Sequence, residues 1–340
     1  MWNRATLKQR AKTALRGRYG SGILIIFLAG LISWVFSTIV WQAAVFFIAP
    51  QMYSRLADVV KGFESNLNSP EQWRAITDEI LNVFGEIGPQ LLIVSGVVTV
   101  ISFLFYLLVK NILLVGRTRW FLRNSESEYE IPASVLFSPF RSGQFGPTVR
   151  GMFWRDFWLF IWGLPALLST VWLVGVHYLY GRLIYETPQL EIPNLLDLKF
   201  NLVTSYGTIS LAYLHIVGIA SLLMLIFGVI SLVKTYSYRM VPFILADNPR
   251  YGALATLRLS KRMTRGHKGG MFFLDLSFLG WFLLTMICCF GLPFVFWLAV
   301  GPYYLATQAE LYGALRTDAV DRDLVTMEAL GYVKKADVLE

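Results

Sequence analysis

The feature that most constrains this chain is the recurrence of apolar runs as long as a bilayer is thick. A helix needs about 20 predominantly apolar residues to cross the hydrocarbon core, and a soluble core makes no such demand. Runs of this kind cover residues 22–49, 91–110, 157–180 and 207–233. A further block, 271–312, is 42 residues long, with Gly291-Leu292-Pro293 at its centre. Twice a crossing length with a Gly/Pro break predicts a hairpin of two spans, 271–290 and 293–312, turning near Phe290–Pro293. The expected fold class is therefore all-α: a polytopic membrane protein of six transmembrane helices with amphipathic interfacial helices, folding as one membrane domain over 1–340. The first run far exceeds the roughly 7–15 apolar residues of a signal peptide, so it is read as an uncleaved anchor. Gly163 and Pro165 inside the third run predict a kink.

Composition supports this reading: 56% of residues are apolar and only 15% are charged, against about 25% charged in an average soluble domain. The net charge of +8 comes from 30 basic and 22 acidic residues, and the basic ones flank the apolar runs. That distribution is the signature of cytosolic membrane loops, so nucleic acid is not an expected partner. With six spans, residues 1–18, 110–155, 234–268 and the tail from 313 to 340 fall on one side and hold 25 of the 30 cations. The other side, 51–88 and 181–206, holds five cations and nine acids. The cation-rich side is the cytosol, and both termini lie there. Cys288 and Cys289 are adjacent inside an apolar run and have no ligand set around them, so they are read as reduced packing residues. No metal and no cofactor is expected.

Four segments outside the spans have patterns of their own. Near the N-terminus, Leu7, Ala11, Ala14 and Leu15 share a helical face, and Lys8, Lys12 and Arg16 recur beside it. This predicts a cytosolic amphipathic helix over 1–18 with its apolar face in the acyl boundary. In the outer segment 51–88, Ser69-Pro70-Glu71-Gln72 has the form of a capped helix start, and Trp73, Ile76, Ile80, Phe84 and Ile87 follow at helical spacing. The predicted helix lies on the outer bilayer face or packs over the bundle. The connection 116–155 carries Arg117, Arg119 and Arg123, then Glu126, Glu128 and Glu130, and a Pro/Gly/Ser/Phe-rich half. It is expected to be a mostly irregular loop with short helical turns.

The cytosolic segment 246–268 is the candidate binding element. Asp247-Asn248-Pro249 reads as a capped helix start, with the helix running from Pro249 to about Arg265 and stopping at Gly266. At 100° per residue, Arg250, Arg258, Lys261, Arg262 and Arg265 fall on one stripe, with Ala253, Ala255, Leu259 and Met263 near the opposite face. Each cation held near an anionic leaflet contributes about 1 kcal/mol. Arg258, Lys261, Arg262, Arg265 and Lys268 are thus the candidate ligands for anionic phospholipid head groups.

Two acids lie inside the apolar blocks, Asp275 and Glu310, at comparable depth if the hairpin is right. A charge there needs a reason. The expected reason is an ion pair from Arg265, His267 or Lys268 to Asp275, pinning the basic helix to span five; a proton- or cation-handling site is the alternative. No zinc-protease, phosphate-loop or nucleophile–base pattern occurs, so no catalytic residue is assigned and an enzyme is not expected.

Three stretches carry a family resemblance. The first is Tyr236-Ser237-Tyr238-Arg239-Met240-Val241-Pro242, continuing through Asp247-Asn248-Pro249 to the basic segment ending at Trp281. The second is the N-terminal pattern of Arg4, Lys8, Arg10, Lys12 and Tyr19. The third is Val115-Gly116 with Arg119-Trp120-Phe121-Leu122. Together they resemble the bacterial integral membrane family called domain of unknown function 975. The resemblance implies a bacterial plasma-membrane location and supplies no substrate. The function expected is non-enzymatic binding or movement of an anionic lipid or amphiphile at the cytosolic leaflet. A membrane scaffold or regulatory subunit of another complex is the alternative. An enzyme acting on lipid head groups would have to draw its acids from Asp247, Asp275 and Glu310.

Overall fold

The computed structural model describes residues 2–63, 70–186, 201–204, 207–210, 212–288 and 298–332. It is helical apart from one short hairpin, and the chain forms two compact units. One comprises Met1–Val149 and Gly280–Gly313, the other Arg150–Leu279 and Ala314–Glu340.

In the first unit, α1 (Arg4–Ala14) starts at Asn3, whose side chain accepts the backbone N–H of Ala5 at 2.9 Å. Leu7, Ala11 and Leu15 are buried while Arg4, Arg10, Lys12 and Arg16 are exposed. The face expected to be apolar is buried, but it is covered by protein and not by acyl chains. Asn124 donates to the Ala14 carbonyl at 2.9 Å, and Arg18 donates to Asn124 and to the Ser127 carbonyl. Polar ties of this kind hold a helix on protein, where acyl chains would offer none.

Helix α2 (Tyr19–Phe63) runs through Pro50, and α3 (Pro70–Phe105) runs through Pro89. The two pack together, with Phe36 and Phe105 stacked at 3.7 Å. Pro70 opens its helix as expected. Ser69 and the residues from 64 lie outside the described residues. The separate outer helix does not exist as such: 70–88 is the first half of the same helix as span two, and Val83, Ile87 and Leu91 pack together across the expected boundary. A drop in hydropathy ended the expected span, but it does not end a helix whose backbone bonds continue.

A single π-helical turn, Tyr106–Lys110, joins α3 to α4 (Asn111–Glu126), with the Asn111 N–H donating to the Tyr106 carbonyl five residues back. The expected loop at 116–126 is therefore helix. Its driving force is one nearly continuous buried surface, with Ile112, Leu113, Val115, Trp120, Phe121 and Leu122 all almost fully buried. A 3₁₀ segment, Ala133–Phe140, lies against it. A Cβ on Gly116 would stand 1.8 Å from the Leu136 carbonyl oxygen, so only glycine allows this approach. Trp120 Nε1 donates to the Ile131 carbonyl at 3.0 Å, and Arg119 donates to Ser138 Oγ and Gln144 Oε1 at 2.8 and 2.7 Å. The Arg119-Trp120 pair of the family pattern is thus a clamp on the connecting segment.

Helix α5 (Phe145–Glu186) begins with Pro147 in its first turn, enters the second unit at Arg150 and contains Pro165. The strands β1 (Asn201–Thr204) and β2 (Gly207–Ser210) pair antiparallel, and α6 (Ala212–Ser237) follows. Span four was expected from residue 207, but 207–210 is strand. A short apolar run cannot be assigned to helix or strand by periodicity. Next come α7 (Val241–Asp247), a 3₁₀ turn Pro249–Tyr251, and α8 (Ala253–Met263). After them lies α9 (Lys268–Leu276); the chain then returns to the first unit with α10 (Leu279–Cys288) and the start of α11 (Gly301–Asp321), whose end from Ala314 belongs to the second unit. The predicted span 271–290 is therefore two short helices broken at Ser277–Phe278. The Ser277 hydroxyl donates to the Leu274 carbonyl, a local bond that competes with the helical ladder. The hairpin turn expected near Phe290–Pro293 lies outside the described residues.

Among the described residues, four helical stretches are long and apolar enough to cross a membrane: Tyr19–Pro50, Gly85–Glu126, Phe145–Tyr180 and His215–Asp247. They expose large apolar side chains, such as Phe46 at 76%, Leu92 at 73%, Trp172 at 60% and Leu225 at 65%. Surfaces so extensively apolar are not those of a soluble monomer.

Candidate functional site

The basic surface belongs to the second unit and is built from its buried side outward. Met240, Val241, Ile244 and Leu245 at the start of α7 are fully buried. Against this core α8 lays Leu257, Leu259 and Met263, while Ala253 and Ala255 are half-buried. Ser260 Oγ donates to the Ser237 carbonyl at 2.8 Å, which fixes α8 to the end of α6. With that face committed, Arg250, Arg258, Lys261, Arg262 and Arg265 are all exposed, and Lys268 is half-buried.

The expected single helix from Pro249 to Arg265 is shorter and has a separate entry. Asn248 caps the 3₁₀ turn, accepting the Arg250 N–H at 2.9 Å. Pro249 is buried, Gly252 makes the corner, and α8 begins at Ala253. Its last helical residue is Met263, and Gly266 at φ +85° completes the turn where glycine was expected to stop the helix. Asp247 does not cap. It is engaged by Arg316 Nη1 at 3.3 Å and by the Tyr332 hydroxyl at 3.1 Å, and Arg316 in turn bonds Tyr332. Asn248 also donates to the Ala329 carbonyl at 2.9 Å. The polar pair before the proline therefore anchors the C-terminal tail.

Asp275 was expected to pair with Arg265, His267 or Lys268. It pairs instead with Arg239 at the end of α6, through two bonds of 2.6 and 2.8 Å, and accepts from the Tyr236 hydroxyl at 2.8 Å. The bidentate fork of an arginine satisfies a half-buried carboxylate better than a lysine or histidine would. His267 lies 3.6 Å from Asp318, which also meets Arg322 at 2.5 Å. Because Asp275 takes Arg239, the cations of α8 and Lys268 are left for other partners. Glu310 sits in the first unit, within electrostatic reach of Arg10 and Glu126.

The sequence reading missed two participants. Lys234, near the end of α6, stands with its ammonium 3.6 Å from the centroid of the Trp162 ring. Trp162 Nε1 is buried and has no hydrogen-bond acceptor among the described residues. Lys234 and Lys261 lie close enough to Lys268 to act on it: burial first, then these two charges, holds the Lys268 ammonium below the ordinary lysine pKa. No carboxylate pairs with any of the three lysines among the described residues. In the sequence Lys234 is one of the cations counted in 234–268, and only the fold of α6, α8 and α9 brings it to the others.

The long exposed apolar helices, with cations gathered where they end, define a helical membrane protein. The family model "Protein of unknown function (DUF975)" matches residues 1–319, and the chain belongs to that family. No curated protein and no solved structure matches the chain.

Proposed function

We propose that this chain is a six-span bacterial plasma-membrane protein with both termini in the cytosol. In this reading it binds an anionic lipid or related amphiphile at the inner leaflet, holding or moving it without chemical transformation. The observation that carries the reading is the grouping of Lys234, Lys261 and Lys268 beside an unpartnered indole N–H, continuous with the exposed Arg258, Arg262 and Arg265. Like charges brought together without an acid are costly unless a counter-anion joins them. A phosphodiester head group supplies the charge and the acceptor oxygens. The placement of 25 of 30 cations in segments that six spans put on one side supports the inner-leaflet location. Asp247 and Asp275 each engage an arginine, which supports binding over acid–base catalysis.

Native mass spectrometry of gently extracted protein tests the reading. Retained anionic phospholipid is expected, and Lys261→Ala with Arg265→Ala should lower its occupancy several-fold while neutral lipid is unaffected. No retained anionic lipid, or equal retention by the double variant, would remove the proposal.

A further inference from the structure

The first unit contains a cavity of about 530 Å³, within the range of about 300–1,000 Å³ common for small-molecule sites. One wall is α2, through Ala29 and Gly30 and, one turn on, Ser33; the other is the α3–α4 junction, through Tyr106, Lys110 and Arg117. Small residues on α2 leave the space: a Cβ built on Gly30 meets nothing within 4 Å. The opposite wall is shaped by the π-helical turn Tyr106–Lys110, a wide turn of the kind that recurs at functional sites.

The lining is apolar apart from its cations and a few neutral polar groups. Lys110 and Arg117 both face the cavity, about 10 Å apart along the helix axis. Among the described residues, no carboxylate lines it. The Nε of Arg117 is sealed from solvent and has no hydrogen-bond partner among the described residues. A buried guanidinium nitrogen without an acceptor is a costly arrangement, relieved when an anion arrives.

We propose that this cleft binds a single-chain amphiphile with a carboxylate head, of the long-chain fatty acid class. The carboxylate accepts from the Arg117 fork, Lys110 adds a second positive charge to the wall, and the acyl chain lies against Ala29, Gly30 and Ser33. Arginine suits a carboxylate because its N–H groups match the two oxygens. The site is built from other residues than the basic surface on α8 and stands or falls separately from it.

The test is a titration of the full-length protein in a mild maltoside detergent with a fluorescent long-chain fatty acid bearing a free carboxylate. Saturable binding is expected for the acid, and its methyl ester should bind about tenfold more weakly or worse. Arg117→Gln should remove that preference, and Gly30→Phe should block the cleft for acid and ester alike. Loss of the acid-over-ester preference in Arg117→Gln reports on the cleft, whereas loss of phospholipid retention in Lys261→Ala with Arg265→Ala reports on the basic surface, so the two readings fail separately. Equal binding of acid and ester by the unmodified protein would overturn the proposal without relying on any variant. So would Gly30→Phe binding the acid as the unmodified chain does.

Discussion

At the scale of single residues, the outcome turns on which partner each buried charge finds. Asp275 finds Arg239, and Asp247 finds Arg316. Neither partner was identified from the sequence, because 36 residues separate one pair and 69 the other, and spacing within one helix carries no information at such distances. The cations on the α8 stripe were legible, since alternation on a helix needs only 3.6 periodicity. Lys268 carries a pH signature. Its ammonium is held below the ordinary lysine value by burial and then by Lys234 and Lys261. An anionic head group favours the charged form, so binding takes up a proton. Affinity for anionic lipid should therefore fall as pH rises through the lowered value, before ordinary lysines near about 10.4 lose their charge. Lipid binding followed from neutral to alkaline pH should show that early loss, and Lys268→Gln should reduce it; an unmodified protein with flat affinity until ordinary lysines titrate would contradict this.

At the scale of elements, hydropathy located the greasy lengths but not the helix ends. The helices α2, α3 and α5 run past their apolar windows, because backbone bonding continues into polar sequence. Conversely, the apolar block from 271 breaks at Ser277–Phe278, where a hydroxyl competes for a carbonyl. Helix α1 shows the limit of amphipathic reasoning. The pattern of Leu7, Ala11 and Leu15 identifies a buried face and is silent on whether protein or lipid covers it. Protein covers it, so Leu7→Asp should cost about 2–5 kcal/mol of local stability and release α1. Limited trypsin digestion should then cut after Lys8, Arg10 and Lys12 much faster than in the unmodified chain. Unchanged cleavage would mean that α1 does not depend on this contact.

At the scale of the whole molecule, two levels of organisation behave differently. Helical class and membrane character were legible because they follow from composition and run length. The division into two compact units was not, since each unit combines stretches far apart in sequence, such as Met1–Val149 with Gly280–Gly313. The basic surface on α8 takes its meaning from one arrangement, in which the cationic segments face the cell interior and meet the anionic inner leaflet. The most direct measurement is labelling of single cysteines in intact cells with a membrane-impermeant maleimide, after replacing Cys288 and Cys289. Asp78→Cys should be labelled from outside, and Arg265→Cys only after the membrane is permeabilised. Labelling of Arg265→Cys in intact cells would contradict the inner-leaflet assignment.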